Sequence, residues 1–340
     1  MNLRQLARLA HLSPSAVSLA LRDSPKISAT TKKRVRDLAQ KHGYKLDAKL
    51  AALMSSLRRT STPRQTACFG VISLYPEERP WERNFHLKRI YEGMHRRAAE
   101  IGYRLEPIWL RAPGMNYRRF CGILDARGIE GLLCFGSPTL EDEFPVELDH
   151  YAIVTIGLSI RTPLHRVTSH FYNDTVSALN RLHKLGYRRP GLVMGRYEDA
   201  RTAHTHTAAY LGWCDRTLGP SHAIPPLQLE RVEEAPLVEW LKKQRPDAIL
   251  FVHLYDSLSE LQAVLKKNRV RVPAELGVAV LTHTLDKTPF SGMQQNQPLM
   301  GTWAVELLAA RIANRDFGIP RNPRIEMVES EWVDGHTLKS

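Results

Sequence analysis

Apolar residues at the start of the chain recur at the spacing of short amphipathic helices. Residues 2–10 place them on a single face, which predicts a first helix. Ser13 and the proline after it supply a capping oxygen and a residue suited to the first helical position, so a second helix is predicted over residues 14–22. Ser28 can cap a third helix, and Gly43 is suited to end it. Three short helices, with a tight turn between the first two, are therefore expected to open the chain.

The second of these helices is predicted to carry small and hydroxyl side chains on its outer face. Val17 and Leu21 are spaced to face a core. Two helices joined by a tight turn, the second with such a face, are typical of the helix-turn-helix that reads a DNA major groove. The residues expected to contact bases or phosphates are Ser13, Ser15, Ala16, Ser18, Leu19, Arg22, Lys26, Ser28 and Thr31. Ser13 and Ser28 are also expected to be helix caps, because capping and phosphate binding coexist at a helix start.

Positive charge is concentrated in the same region. Residues 1–60 hold thirteen Lys and Arg against three Asp, a net charge of +10 in a chain whose formal charge is +13. A basic run such as residues 32–36 is, by itself, more often a solvated helix face. Beside a helix-turn-helix it favours DNA binding, because phosphate neutralisation supplies most non-specific affinity for DNA.

A further apolar stripe lies at residues 47–57. Leu50, Leu53, Met54 and Leu57 follow the i, i+3, i+4, i+7 pattern on a helix too short to be stable alone. Such a segment needs a partner. Two interpretations stay open: a connector packed on its own domain, or a helix that pairs with a second copy of itself.

Beyond a polar linker at residues 60–65, strand-like apolar runs alternate with helical patterns. Strands are predicted at residues 69–74, 105–109, 131–135, 152–156, 191–194, 248–252 and 277–281. Helices are predicted at residues 85–102, 172–186, 206–218, 237–244 and 256–268. Alternating strands and helices predict a parallel sheet covered on both faces. About 280 residues exceed one comfortable core, so two lobes are expected.

Motifs of other chemistry are missing from the sequence. There is no G-x-S-x-G, G-x-G-x-x-G, Walker or H-E-x-x-H motif. The enzyme classes that these motifs identify are therefore excluded, whereas an enzyme that carries no such motif is not. Cysteines at 68, 121, 134 and 214 lack metal spacing and favour reduced thiols. A His-x-His pair at 204–206 is a poor metal site, since its side chains point ~200° apart on a helix. We expect no metal, no cofactor, no membrane span, no signal peptide and a cytoplasmic location, which disfavours a secreted binding protein.

Several short motifs together resemble the lactose-repressor (LacI/GalR) family of transcriptional regulators. In the first 60 residues the resemblance rests on the runs at 6–10 and 12–18, on Ile27-Ser28 with Thr31, and on Val35, Gly43-Tyr44 and Leu53. In the remainder it rests on Tyr91-Glu-Gly93, Gly102-Tyr103, Gly128-Ile-Glu-Gly131, the runs at 185–190 and 245–249, Val272-Pro273 and Met300-Gly301. Each motif is weak alone, and their order along the chain makes the resemblance specific.

The resemblance implies an α/β protein with an all-α head and a two-lobed, periplasmic-binding-protein-like sensor. The expected parts are a helix-turn-helix domain at 1–46, a hinge helix at 47–59, a linker at 60–65 and the sensor at 66–340, with an N-lobe at about 66–160 and 292–322 and a C-lobe at about 161–291 and 323–340. It also implies a homodimeric repressor, a near-palindromic double-stranded DNA operator and a small-molecule effector. Two hinge helices would meet over the minor groove, with Leu53 wedged into a base step.

Departures from the family pattern bear on both ligands. Leu19 stands where the family carries a groove-facing arginine, so a different operator is expected. His206, His253 and Thr282 stand where sugar-binding relatives have Arg, Asn and Asp, whereas Gln295 matches the pattern and Arg201 lies about one turn upstream of His206.

With Tyr75 and Phe85 as stacking faces, these residues predict a pocket for a neutral carbohydrate or polyol. Imidazoles near their solution pKa of about 6.5 predict that affinity falls on acidification. An effector-free regulator, a small-molecule-binding protein with a vestigial head, and a two-domain α/β enzyme remain as alternatives.

Overall fold

The computed structural model describes residues 3–21, 27–42, 67–140, 150–220, 222–252, 257–281 and 288–340. The chain divides into two compact units, Met1–Gln65 and Thr66–Ser340. Each unit has its own hydrophobic core.

Three short helices build the described part of the first unit, as the sequence predicts. They are α1 (Leu3–Leu9), α2 (Pro14–Leu21) and α3 (Ala29–Lys41). The side chains of Ser13 and Ser28 accept hydrogen bonds from the backbone N–H groups of Ala16 and Thr31, so both serines are helix caps. The core between the helices is formed by Leu6, Ala7, Ala10, Val17, Ala20, Val35 and Ala39. Small residues at most of these positions let three short helices approach closely.

The second unit is built from strands that alternate with helices. Its described strands are β1 (Cys68–Ser73), β2 (Arg104–Trp109), β3 (Gly131–Cys134), β4 (Ala152–Ile156), β5 (His165–Ser169), β6 (Pro190–Gly195), β7 (Leu227–Leu229), β8 (Ala248–Val252), β9 (Gly277–Leu281), β10 (Ser291–Gln294), β11 (Ile325–Val328) and β12 (Glu331–Val333). Its described helices are α4 (Phe85–Glu100), α5 (Tyr117–Ala126), α6 (Phe171–Lys184), α7 (Arg196–Arg201), α8 (Thr205–Leu218), α9 (Glu234–Gln244), α10 (Ser257–Lys267) and α11 (Gln297–Asn314), with a 3₁₀ turn at Pro80–Glu82.

The strands form two six-stranded sheets, one in each lobe. The N-lobe sheet has the order β11-β5-β4-β3-β1-β2, and all its pairings are parallel. The C-lobe sheet has the order β12-β10-β9-β8-β6-β7, and only the pairing of β10 with β12 is antiparallel. The central strands of both sheets are buried along their length, apart from the partly buried Cys68 at the start of β1. Parallel strands need helices on both faces, which explains their continuous apolar sequences.

Two glycines allow α4 and α11 to pack against each other in the N-lobe. A Cβ atom at Gly93 would overlap the carbonyl of Pro298, and one at Gly301 would overlap the carbonyl of Ile90. Any larger residue at either position would push the two helices apart.

All seven predicted strands and all five predicted sensor helices are present, with shifts at their ends. The sequence pattern did not predict β5, because its polar residues include His165 and Arg166, which are buried. The Arg166 guanidinium donates to the carbonyls of Gly157, Ile160 and Thr162, so a strand with a charged residue is accommodated in the core. The sequence pattern also did not predict strands β7, β10, β11 and β12 or helices α5 and α7.

The predicted lobe boundaries are wrong at three strands. β5 was assigned to the C-lobe but pairs with β4 in the N-lobe sheet. β11 was also assigned to the C-lobe but pairs with β5 in the N-lobe sheet. Residues 292–294 of β10 were assigned to the N-lobe, but β10 pairs with β9 in the C-lobe sheet. The chain crosses between the lobes three times, after β5, β10 and β11. Apolar patterning identifies a strand but not the sheet that it joins.

Candidate functional site

On α2, the nominated DNA-contact residues whose side chains the structure describes are Ala16 and Leu19. Leu19 is 36% exposed and Ala16 is half-buried, whereas Val17 between them is fully buried. Thr31 is half-buried, and its hydroxyl lies 2.9 Å from the Ser28 hydroxyl. The side chains of Ser15 and Ser18, and residues Arg22, Lys26 and Leu53, lie outside what the structure describes, so their predicted contacts stay predictions.

A second candidate site is the cleft between the lobes of the sensor. Its empty space is about 860 Å³, a figure that includes the open solvent at its mouth. It opens at the carboxyl ends of the parallel strands, where ligands bind in open α/β sheets. The described residues that line it are Tyr75, His86, Leu87, Ile90, Gly136, Ile156, Gly157, Ser169, Phe171, Glu198, Arg201, Thr202, His206, Val252, Gln295, Gln297 and Met300.

The structure brings four of the predicted effector residues together in this cleft: Tyr75, Arg201, His206 and Gln295. The prediction for Phe85 is wrong, because its ring is 39% exposed outside the cleft with Arg89 5.7 Å from its centroid. The next residue on α4, His86, lines the cleft instead, since one step along a helix turns the side chain by about 100°. His253 and Thr282 lie outside the described residues.

His206 is held as a neutral ring. The Thr175 hydroxyl donates its hydrogen to the carbonyl of Phe171 and lies 2.8 Å from His206 Nδ1, so Nδ1 carries the imidazole proton and Nε2 is an acceptor. Burial lowers the pKa of His206 to about 4, despite the opposing effect of Asp199. The expectation that this ring titrates near its solution pKa is therefore wrong. His206 cannot make ligand affinity fall between pH 8 and pH 5.

A buried carboxylate, which the sequence analysis did not single out, faces the same cleft. Glu198 on α7 is 7% exposed, and its Oε2 atom has no hydrogen-bond partner among the described residues. Burial raises the pKa of Glu198, while the positive charge of Arg201 opposes this shift. Its position just after the predicted strand at 191–194 is a usable signal, because residues that follow parallel strands tend to line the ligand crevice.

Aromatic faces lie on two sides of the cleft. Tyr75 follows β1, and Phe171 begins α6 with its ring 5.2 Å from that of His206. An aromatic ring that lines the cleft is therefore supplied by Phe171 and not by Phe85. The buried amide of Gln297 is hydrogen-bonded to the half-buried imidazole of His86, with 3.2 Å between Nε2 and Nδ1.

Hydrogen bonds join the lobes beside the cleft. The Tyr197 hydroxyl on α7 donates to the carbonyl of Ser137, which follows β3 in the other lobe, at 2.6 Å. Two of the crossovers are also tied together: His170 Nδ1 lies 2.7 Å from Glu329 Oε1, and the Ser330 hydroxyl donates to Asp174. Burial raises the pKa of Asp174 to about 7.

Other chemistry is not evident in the described part of the chain. It contains no cluster of His, Cys, Asp and Glu that could hold a metal ion, and none of its helices is long and apolar enough to cross a membrane. The four cysteines are free thiols, of which Cys134 and Cys214 are buried.

Two family profiles match this chain. Residues 2–47 match the profile described as bacterial regulatory proteins, lacI family, and residues 179–338 match that of a periplasmic binding protein-like domain. No curated protein matches the chain.

Solved structures share the fold at low sequence identity. A transcriptional regulator CelR–cellobiose complex has 19% identity and a TM-score of 0.61, covering 99% of each chain. A lac repressor dimer bound to operator and the anti-inducer ONPF has 16% identity and a TM-score of 0.59, covering 100% of this chain and 99% of the other. A LacI transcriptional regulator from a Rhodococcus species has 17% identity and a TM-score of 0.60, covering 80% of this chain and 98% of the other.

A helix-turn-helix head followed by a two-lobed sensor with a cleft between its lobes defines a DNA-binding transcriptional regulator. Residues 179–338 place the sensor among periplasmic binding protein-like domains, and residues 2–47 place the head in the lacI family of bacterial regulatory proteins. Members of that family are non-enzymatic, so the chain acts by binding rather than by catalysis.

Proposed function

We propose that this regulator is a repressor whose affinity for its operator changes when a neutral carbohydrate or related polyol binds between the sensor lobes. The observation that carries the proposal is the make-up of the cleft. Tyr75 and Phe171 offer aromatic surface for sugar C–H groups, and His206 is a neutral acceptor rather than a cation. Gln295 adds an uncharged amide. Such a lining suits hydroxyl-rich neutral ligands better than acids.

Two of the compared structures support this ligand class. One is the CelR complex with cellobiose, and the other is a periplasmic binding protein/LacI regulator from Alkaliphilus metalliredigens with D-xylulofuranose, which has 15% identity and a TM-score of 0.59 and covers 81% of this chain and 100% of the other. Both ligands are neutral sugars. The shared fold makes the interlobe cleft the natural place for such a ligand here.

The proposal includes a cytoplasmic homodimer on a near-palindromic operator, with half-sites in successive major grooves. In the head, Leu19 would make apolar contact with a base edge. Contacts to bases or phosphates would come from Ser13, Ser15, Ala16 and Ser18, and contacts to phosphates from Arg22, Lys26 and Thr31. Leu53 would enter the minor groove from a hinge helix. A lac repressor dimer on its operator is among the structures with the same fold.

A DNA-capture experiment tests the proposed function. Full-length protein is used to select fragments from a genomic library, the retained sites are footprinted, and binding is titrated from 50 to 200 mM salt. We expect two protected half-sites and a loss of affinity on the order of a thousandfold over this salt range, because several phosphates are neutralised. A flat salt response would instead favour a ligand-binding protein with a vestigial head.

The effector is tested on the recovered site. Cellobiose, ribose, glucosamine and glucuronate are added separately to the protein–DNA complex. A change in operator affinity with a neutral sugar supports the proposal. A response to glucuronate alone, or to no sugar, would overturn the assignment of a neutral effector, and the second result would favour an effector-free regulator.

A further inference from the structure

We propose that Glu198 and Arg201 together bind two adjacent hydroxyl groups of the effector, so that α7 selects a neutral ligand carrying a vicinal diol. This inference rests on the proposed function and assigns its specificity to a helix of this chain. Both residues line the interlobe cleft, and they lie three positions apart on α7, the spacing at which helical side chains are neighbours.

Glu198 is a buried carboxylate that lines the cleft. Glu198 is 7% exposed, and Oε2 has no partner among the described residues, although a buried carboxylate oxygen normally accepts a hydrogen bond. A carboxylate in this state costs stability unless a donor reaches it. Because the atom belongs to a residue that lines the cleft, a hydroxyl of a bound ligand can supply that donor.

The opposite charges of Glu198 and Arg201 disfavour a charged ligand. Glu198 and Arg201 interact electrostatically, which opposes the effect of burial on the carboxyl group. An anionic ligand would be repelled by Glu198, and a cationic ligand by Arg201. A hydroxyl group both donates and accepts, whereas a carboxylate only accepts and a guanidinium only donates. Two adjacent hydroxyls therefore match the pair: one donates to Glu198 and the other accepts from Arg201.

The polar groups that flank Glu198 on α7 already have partners within the protein. The Thr202 hydroxyl donates to the carbonyl of Glu198, and Asp199 accepts from His204, Thr207 and Gln228. The contrast between Asp199 and Glu198, adjacent buried carboxylates, separates a structural role from a binding role. Asp199 holds the α7–α8 turn, and Glu198 is left for a ligand.

Calorimetry on the full chain tests the pair. Cellobiose, ribose, glucosamine and glucuronate are titrated into the wild type, Glu198→Ala, Glu198→Gln and the control Glu239→Ala, an exposed carboxylate on α9. We expect a neutral sugar to bind the wild type and to lose between about ten- and a hundredfold in affinity in Glu198→Ala, as for a charge-assisted hydrogen bond. Glu198→Gln should lose less, because its amide oxygen still accepts. The control should bind as the wild type does.

The outcomes separate this inference from the proposed function. Equal binding of a neutral sugar by wild type and Glu198→Ala would overturn the role of Glu198 and leave the neutral effector standing. Preferential binding of glucosamine, lost in Glu198→Gln, would overturn the neutral diol in favour of a cation. Binding of glucuronate alone, or of none of the four sugars, would overturn both proposals.

A measurement without ligand completes the test. Replacing a partnerless buried carboxylate with a side chain of similar size and no charge removes its desolvation cost, so Glu198→Met should raise the melting temperature of the ligand-free protein. Asp199→Asn, at the carboxylate that has partners, should lower it. A lower melting temperature for Glu198→Met would show that Glu198 supports the fold instead, and would overturn the inference.

Discussion

The head and the cleft differ in how closely spaced their functional residues are along the sequence. Every described element of the head lies between residues 3 and 42, and its caps, turn and apolar spacing are all local. The cleft is lined by residues as far apart as Tyr75 and Met300, carried by both lobes and by the crossovers between them. A local motif reveals the class of protein, whereas the ligand depends on which side chains the tertiary fold brings together.

The two regions also differ in what they bury. Among the described residues of the head, the core consists of Leu, Val and Ala, and no ionisable side chain is buried. The sensor buries Asp174, Glu198 and His206, and the pKa of each is shifted by burial. The small apolar core of the head is easily disrupted by a substitution. The buried ionisable groups of the sensor make its stability sensitive to pH and its cleft sensitive to ligands.

The largest effect is expected from a polar residue in the core of the head. Val17 is fully buried, so Val17→Asn removes an apolar contact and leaves an unsatisfied amide, at a cost of about 3–5 kcal/mol. A core this small has little more stability than that. We expect loss of operator binding by more than about a hundredfold in mobility-shift assays, with the melting of the sensor unchanged.

Leu9→Asn is the matched control, since Leu9 is 46% exposed on α1. It should leave both the fold of the head and operator binding close to those of the wild type. Normal operator binding by Val17→Asn would mean that the helix-turn-helix is not the DNA reader.

Most of the fold could be predicted from the sequence, because helices and buried parallel strands have local signatures. Strand β5 was missed because His165 and Arg166 are polar. Hydrogen bonds to distant parts of the chain satisfy these buried side chains, and no local sequence pattern shows such bonds. The lobe boundaries failed because the crossovers exchange strands that look alike in sequence. In the cleft, Phe85 and Phe171 are equally plausible stacking residues until the fold places one at the cleft and the other in solvent.

The second effect concerns a carboxyl group at the crossovers. Folded Asp174 keeps its proton to about pH 7, whereas the unfolded group titrates near 3.8, so the free energy of unfolding should fall as pH rises from 4 to 7 and stay constant above. The contribution is on the order of 2–4 kcal/mol. Glu329 adds to the rise in this pKa, and Ser330 and His170 oppose it. Asp174→Asn should remove this part of the pH dependence.

Urea unfolding of wild type and Asp174→Asn at several pH values between 4 and 8.5 measures this difference. Burial of His206 acts in the opposite sense, because a lowered imidazole pKa makes stability fall as pH drops from 6.5 to 4. His206→Gln should therefore be measured alongside, because it removes the contribution of His206 to the pH dependence of stability. Parallel pH profiles for wild type and Asp174→Asn would show that Asp174 does not titrate in this range.

A smaller effect is expected when the reading face of the head is changed without touching its core. Leu19 is 36% exposed on α2 and offers only apolar contact to a base. Leu19→Arg should favour sites with a guanine at the contacted position, with about 1–3 kcal/mol of discrimination, because arginine binds guanine O6 and N7 together. Selection of sites from a random library would show the change. An unaltered consensus would place Leu19 outside the groove.

The smallest effect should come from the hydrogen bond that joins the lobes at the cleft. The Tyr197 hydroxyl donates to the carbonyl of Ser137 across the lobes, and Tyr197→Phe removes this bond at a cost of about 0.5–1.5 kcal/mol. Because the bond forms only when the lobes are together, its loss should weaken sugar affinity by about two- to tenfold through the population of the closed form. Tyr172→Phe is the control, since the Tyr172 hydroxyl accepts from Arg216 within the C-lobe. Calorimetry of both variants with the same sugar decides between a bond that couples the lobes and one that only adds stability. Equal sugar affinities for the two variants would indicate a bond that only adds stability. Ligand binding in the cleft would then not depend on this contact between the lobes.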